Sequence, residues 1–305
     1  MQKLVIATRE SPLALWQAEF VKTELEAAHP GLEVGLLGMR TQGDRWLQSP
    51  LSEVGGKGLF IKELEQAVLD GRADLAVHSM KDVPAALPDA FVLPVIAFRD
   101  DVRDALVTRD GRGFDDLPAG ARIGSASLRR QAQLRARRPD LQVSPVRGNV
   151  GTRLGKLDAG EYDALVLASA GLHRLGLSGR VAEYLDVQRS VPAAGQGALG
   201  IECLATAKSV RALLAVLDDP LVRRCVEAER AVSAGLGADC SAPLGAHATL
   251  QGDQVQLDAV LASVDGRRVL RASARGSDPV VVGGRVVADL RRQGAADILA
   301  ALDGA

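Results

Sequence analysis

Residues 122–130 read Arg122-Ile123-Gly124-Ser125-Ala126-Ser127-Leu128-Arg129-Arg130. The first three residues fit a short strand. Ser127 stands where a helix N-cap belongs, and helical spacing continues to Arg137. A strand that passes into a helix through Gly and Ser leaves backbone N–H groups free at the positive helix end, where anions are favoured. Arginine adds a planar fork that matches a carboxylate or a phosphate. Around this joint lies a strongly basic segment, residues 121–180. Arg122, Arg129, Arg130, Arg135, Arg137, Arg138, Arg147, Arg153, Lys156, Arg174 and Arg180 face only Asp140, Asp158, Glu161 and Asp163. The whole chain carries a net charge of −1, so there is no global field to hold nucleic acid. A local concentration of guanidinium in a neutral chain suits a pocket for a small, highly acidic molecule.

A second joint of the same kind occurs earlier, at Ala7-Thr8-Arg9-Glu10-Ser11-Pro12. Leu4–Ala7 reads as a strand, and a helix follows from Pro12 to Ala28 with Ser11 as N-cap and Pro12 at its first position. Leu13, Trp16 and Phe20 follow helical spacing and are expected on its buried stripe. Ser11 and Ser127 could each be a plain cap; two arginine-bearing joints in one chain favour anion binding for the pair. Leu32–Leu37 is the next strand. Residues 43–58 are rich in Gly and Ser and read as a mobile loop. Gly55-Gly56-Lys57-Gly58 lacks the spacing of a nucleotide phosphate loop. Phe60, Leu64 and Val68 mark a second helix. Ala73–Val77 is a strand that runs into His78-Ser79-Met80-Lys81-Asp82. Asp82 there is either a crevice carboxylate able to stabilise a developing cation or half of a solvated Lys81–Asp82 turn; His78 reads as a satisfied strand-end histidine.

After residue 100 the alternation restarts. Arg122–Gly124, Leu141–Val146 and Ala164–Leu167 read as strands, followed by helices over Ser127–Arg137, Val150–Leu157 and from Ser169. Short apolar strands alternating with helices imply mostly parallel sheets, whose ligands gather beyond the carboxyl ends of the strands. Asp82, Ser125, Ser127, Arg147 and Asn149 occupy such ends. The last third differs: a helix over Leu221–Ala234, a loop over Gly235–Gly245, and strands Gln254–Ser263 and Val269–Ala274 joined through Asp265-Gly266, a hairpin signal. Residues 280–302 read as helical near their end, with Val287, Leu290, Ile298 and Leu302 apolar. The fold class is therefore α/β: two α/β domains plus a small α+β C-terminal domain. At 305 residues, 47% hydrophobic and 25% charged, the chain has the composition of a soluble globular protein with more than one core. Cys203, Cys225 and Cys240 show no CxxC spacing, so neither a disulfide framework nor a metal site is expected. Cys203 and Cys225 fall in apolar or helical contexts. Cys240 lies in a loop and is either unremarkable there or a nucleophile or attachment point. No apolar run reaches the ~18 residues of a membrane span, and the first residues form no signal peptide; the cytoplasm is the expected compartment.

Taken together these segments resemble the porphobilinogen deaminase (hydroxymethylbilane synthase) family. The resemblance is carried by Ala7 to Ala14, Val77 to Pro84, Arg103-Asp104-Ala105, Gly124 to Gln131, Val146 to Val150, Thr152-Arg153-Leu154, Ala168 to Leu172, Pro192 to Gly197 and the Cys240 loop, in that order along nearly the whole chain. It implies two domains like those of periplasmic binding proteins, 1–98 with 198–217 and 99–197, and a third, 218–305. It also implies a dipyrromethane cofactor joined by a thioether to Cys240, with four porphobilinogen molecules losing ammonia and condensing head to tail before water releases hydroxymethylbilane. By the same resemblance Asp82 is the catalytic group. Lys81, Asp104, Ser127, Arg129, Arg130, Arg147, Gly148 and Asn149 would hold the cofactor with Cys240. Arg9, Ser11, Gln17, Phe60, Arg147, Arg153, Arg174 and Gln196 would hold the substrate and growing chain. The chain departs from the family pattern at Ala126, where a hydroxyl is common, and at Asp239 beside Cys240. A monomer acting on a small molecule, with no metal, nucleic acid or membrane, is expected. The competing reading is a two-lobed solute receptor or effector-sensing module without catalysis.

Overall fold

The computed structural model describes residues 2–41, 61–239 and 241–303. In chain order the elements are β1 (Gln2–Arg9), α1 (Pro12–Ala28), β2 (Leu32–Met39), α2 (Lys62–Leu69), β3 (Leu75–Ser79), a single 3₁₀ turn (Met80–Asp82), β4 (Phe91–Ala97), β5 (Asp104–Thr108), β6 (Arg122–Gly124), α3 (Leu128–Arg137), β7 (Gln142–Ser144), α4 (Val150–Asp158), β8 (Ala164–Ala168), α5 (Ser169–Arg174), β9 (Glu183–Leu185), β10 (Leu199–Leu204), α6 (Lys208–Leu214), α7 (Pro220–Leu236), β11 (Leu244–Gln251), β12 (Gln254–Ala262), β13 (Val269–Gly276), α8 (Pro279–Arg292) and α9 (Ala295–Asp303). They divide into two compact units: Met1–Arg99 with Ala198–Arg223, and Asp100–Gly197 with Arg224–Ala305.

The first unit is built on a sheet of order β2-β1-β3-β10-β4. β1 runs parallel to β2 and β3, whereas β10 is antiparallel to both of its neighbours. One face buries Leu4, Ile6, Leu75, Val77, Leu199 and Ile201 against Ala18, Val21 and Leu25 of α1. The other face packs Ala7 and Ala76 on Leu64, Ala67 and Val68 of α2. α1 starts where the sequence places it: Ser11 Oγ accepts from the Ala14 N–H, and Pro12 opens the helix. Its inward face is rotated from the expected stripe. Gln17, Ala18, Val21 and Leu25 are buried, and Trp16 is 38% exposed. Small Ala18 lets the helix approach the sheet. Trp16 instead stacks on Phe20 at 5.2 Å, and Phe20 meets Phe98 edge-on at 4.8 Å.

The second unit repeats the plan in the order β7-β6-β8-β5-β9. β6 is parallel to β7 and β8, and β5 is antiparallel to β8 and β9. In each sheet the strand at the fourth position, β10 in the first and β5 in the second, runs against its neighbours. Half the pairings in each sheet are therefore antiparallel, where the alternation implied mostly parallel ones. The same unit holds the antiparallel sheet β11-β12-β13, whose core joins Ala228 and Val232 of α7 to Val282, Val286 and Leu290 of α8. The hairpin Asp265-Gly266 forms as expected, and its tip rests on α3. Gly266 has φ +76° and a Cβ there would sit 2.6 Å from the Ala136 nitrogen, so no other residue fits the approach. Arg135 Nη1 fixes the contact by donating to the Val264 carbonyl at 2.7 Å. The helical stretch expected over 280–302 breaks into α8 and α9 at Gly294, φ +95°.

Candidate active site

β1 and β3 lie side by side in parallel, so their carboxyl ends deliver Arg9 and Ser79 to the same edge. The chain leaves β3 in a 3₁₀ turn that presents Lys81 and Asp82. A cavity of about 80 Å³ opens there, lined by Arg9, Ser11, Gln17, His78, Ser79 and Asp82 above Leu64. Gln17 is buried and donates from Nε2 to Ser79 Oγ at 2.9 Å, joining α1 to the end of β3. Thr8 Oγ1 donates to the Ala14 carbonyl at 3.1 Å and fixes the β1–α1 corner. Asp82 is exposed to solvent, so its carboxylate can meet a ligand. Four residues named from sequence, Arg9, Ser11, Gln17 and Asp82, line one cavity. His78 is the satisfied histidine that was expected: its Nε2 lies 2.9 Å from Glu202 Oε2, both side chains almost wholly buried. Glu202, which arrives on β10, carries no signal readable from its sequence neighbours.

In the second unit Asp104 is the hub. It is fully buried at the start of β5 and accepts from Arg129 Nη1 at 2.7 Å and Nη2 at 3.0 Å, Arg130 Nε at 2.8 Å, Ser190 Oγ at 2.7 Å and Gln196 Nε2 at 2.9 Å. Burial alone would raise its pKa; the adjacent guanidiniums of Arg129 and Arg130, with their hydrogen bonds, overcome this and hold it far below the usual carboxylate range. Asp104 and the two guanidiniums thus form one buried, hydrogen-bonded group. Arg129 Nε is buried with no hydrogen-bond partner among the described residues. Gln196 Oε1 accepts from both arginines at 3.4 and 3.3 Å, and its amide also donates to the Val102 carbonyl at 2.7 Å. Asp104 therefore orients the two arginines, and its own acceptor positions are taken. Ser127 occupies the N-cap position of α3, yet its hydroxyl caps nothing.

The turn after β7 supplies the remaining group. Gly148 has φ +112°, and a Cβ would lie 2.6 Å from Thr152 Cγ2. Asn149 caps α4 by accepting from the Thr152 N–H at 2.9 Å. Arg153 Nε donates to the Gly148 carbonyl at 2.8 Å. Arg147, half-buried, makes no hydrogen bond or ion pair among the described residues. Arg174 is buried and donates to the Gly197 carbonyl at 2.6 Å; burial pulls its pKa down, opposed by Asp100. Glu229, missed in the sequence, is fully buried on α7 and accepts from the Gly195 and Ala248 N–H groups at 2.7 and 2.8 Å, which pins the segment Val191–Gly197 to β11. Phe60, the loop 43–58 with its Gly-Lys-Gly run, and Cys240 lie outside the described residues. Beside the last, Asp239 Oδ1 accepts from the Ser241 N–H at 2.8 Å and from its hydroxyl, so that carboxylate is engaged within its own turn. Cys203 and Cys225 are free and buried, and burial pushes the Cys203 thiol up to about 11. No cluster of His, Cys, Asp or Glu among the described residues could hold a metal, and no helix among them is long and apolar enough to cross a membrane.

Each unit carries an α/β sheet with guanidinium and hydroxyl groups at strand ends, a class of arrangement suited to carboxylates. The comparisons with known proteins narrow this class. Residues 4–212 match the family model "Porphobilinogen deaminase, dipyromethane cofactor binding domain", and residues 223–292 match "Porphobilinogen deaminase, C-terminal domain". The chain is 54% identical over 304 residues to a porphobilinogen deaminase of Burkholderia vietnamiensis, covering 98% of this chain and 91% of that one. It is 53% identical over 304 residues to that of Thiobacillus denitrificans, covering 99% of each. Among solved structures, the VFT2 domain of BvgS from Bordetella pertussis aligns with TM-score 0.43 and 19% identity over 70% of this chain and 84% of that one. The chain belongs to the porphobilinogen deaminase family, enzymes of tetrapyrrole biosynthesis that carry a dipyrromethane cofactor.

Proposed function

We propose that this chain is a hydroxymethylbilane synthase that deaminates and condenses four porphobilinogen molecules in the cytoplasm as a monomer, with Asp82 as its catalytic group. The observation that carries the assignment is the cavity in which exposed Asp82 stands with Arg9, Ser11 and Gln17. A carboxylate so placed can accept a proton and stabilise the cation left when a substrate amine departs. Once a bound substrate covers the carboxylate and excludes water, one oriented charge of this kind is worth ~3–4 kcal/mol. Arg9 and Ser11, at the start of α1, suit the acetate or propionate of the substrate, where guanidinium and helix end act together.

The residues of the second unit fit a dipyrromethane group: the guanidiniums of Arg129 and Arg130, the Ser127 hydroxyl, which caps nothing, and half-buried Arg147 suit several carboxylates. When bound, that group supplies the pyrrole end on which the substrate rings are joined. Arg129, Arg130, Ser127 and Arg147 would bind its carboxylates, Asp104 and Gln196 orient those arginines, and Gly148 and Asn149 fix Arg147. Arg153 and Arg174 would neutralise the lengthening chain. Cys240 is the attachment point we assign: a thiol raised to about 11 at Cys203 is a poor nucleophile, and Cys225 is buried in the C-terminal core. Three separate sheets support a division into domains 1–98 with 198–217, 99–197 and 218–305.

Intact mass of the purified protein tests the reading. The expected result is a chain heavier than its sequence by two pyrrole units, with the increment absent in Cys240→Ser. An active enzyme of unmodified mass, or an adduct retained on Cys203 or Cys225, would refute it.

A further inference from the structure

Beneath the Asp82 cavity lies a group of ionisable side chains that the reaction as described leaves unused. His78 lines the cavity, and its Nε2 lies 2.9 Å from Glu202 Oε2. The pairing follows from the sheet register: Gly200 is opposite His78 and Glu202 opposite Ala76, so Glu202 and His78 share one face of adjacent antiparallel strands. α2 covers that face: Leu64 packs with Ala76, the strand partner of Glu202, and the next residue on α2, Glu65, lies beside Glu202. Glu202 is 1% exposed, and its Oε1 has no donor among the described residues when both carboxyls are ionised.

We propose that Glu65 and Glu202 are positioning residues of the Asp82 cavity: they share one proton, and that proton limits the negative charge beneath the cavity for an anionic substrate. Two carboxylates in contact cannot both ionise cheaply away from water. A proton held on Glu65 supplies the donor that Glu202 Oε1 lacks and leaves Glu202 one negative charge to orient His78. The charges acting on Glu65 are Glu202 and His78 from the sheet and Lys62 from its own helix, with Glu63 in the same first turn. Arg9 and Asp82 complete the ionisable lining of the cavity. Cys203, next to Glu202 on β10, stays neutral because burial raises its thiol to about 11. The Glu65 pKa is itself raised, chiefly by burial and then by the Glu202 charge. As pH climbs through that raised value the shared proton leaves, and the cavity floor gains a negative charge that repels the substrate's carboxylates.

The inference rests on the assignment of the Asp82 cavity to the substrate. The test is the pH profile of KM and kcat for the cofactor-loaded wild type, Glu65→Gln, Glu202→Gln and Asp82→Asn from about pH 5 to about pH 8. Wild-type KM should rise by about fivefold or more across the Glu65 titration, with kcat changing less. Glu65→Gln keeps a hydrogen-bond donor toward Glu202 and cannot ionise, so its KM should stay flat. Glu202→Gln should move the rise to lower pH, since Glu65 then ionises beside a neutral amide. Glu65→Gln and Glu202→Gln profiles that coincide with the wild type in shape, with only melting temperature altered, would overturn the shared-proton role while leaving the cavity assignment intact. Wild-type turnover in Asp82→Asn would overturn the cavity assignment itself.

Discussion

Replacing Asp104 by Asn removes the only negative charge among five hydrogen-bond donors. Its two guanidinium partners are buried, at 3% exposure for Arg129 and 5% for Arg130, so water cannot take over. Removing one partner of a buried pair costs about 3–5 kcal/mol, because the opposite charge is left uncompensated. Asn Oδ1 still accepts a hydrogen bond, which recovers about 1 kcal/mol. A net loss of about 2–4 kcal/mol in a unit of this size lowers its melting temperature by about 5–15 °C. Calorimetry of the cofactor-loaded protein at neutral pH measures it. The acid limb gives the sign. A carboxyl whose folded pKa is depressed stabilises the fold fully above its unfolded value, near about 3.9, and loses that contribution as pH falls through the lower folded value. The gap between wild type and Asp104→Asn should therefore be constant from neutrality down to about pH 5 and close only in strong acid. An Asn variant that melts within about 2 °C of wild type at neutral pH would refute the claim that Asp104 compensates the two arginines.

Asp82→Asn should leave melting unchanged, since the side chain is exposed, while turnover falls by ~10²–10³-fold, the equivalent of one oriented charge; unchanged turnover in a steady-state assay would remove Asp82 from its role. Gly148→Ala forces a positive φ on a residue with a Cβ and drives that atom into Thr152, a cost of ~1–3 kcal/mol or more. It should lower the melting temperature and, by moving Arg147, raise KM; an alanine variant matching wild type in both measurements would show that the turn is not constrained as described.

Much of the site could be read in the sequence because it depends on local rules. Ser11 with Pro12 marks a helix start wherever it occurs, and Arg9 and Arg129 stand at fixed offsets from their strand ends. Asp265-Gly266 specified its hairpin, and the antiparallel C-terminal sheet followed from it. What could not be read depends on partners distant in sequence. β5 opens with Asp104, a charge that argues against a buried strand until Arg129, Arg130, Ser190 and Gln196 surround it. β10 contains Gly200 and Glu202 and looks polar until His78 pairs with the carboxylate. The inward face of α1 was misplaced for a related reason: large Leu13, Trp16 and Phe20 carry the stronger hydrophobic signal, but close packing on the sheet selects small Ala18. Ser190 gave no signal at all, since a single serine acquires meaning only from what surrounds it.

The position of β10 also bears on how the chain is made. β10 lies between β3 and β4, yet residues 98–198 separate it from β4 along the chain. On the ribosome the first sheet must wait with a gap between β3 and β4 and an unpaired strand edge on each side of it, each a template for mispairing. β5 to β9, by contrast, emerge as one uninterrupted run, and their sheet can close first. Nascent chains halted before residue 199 should therefore need chaperone protection, although most of the unit that carries Asp82 has already been translated.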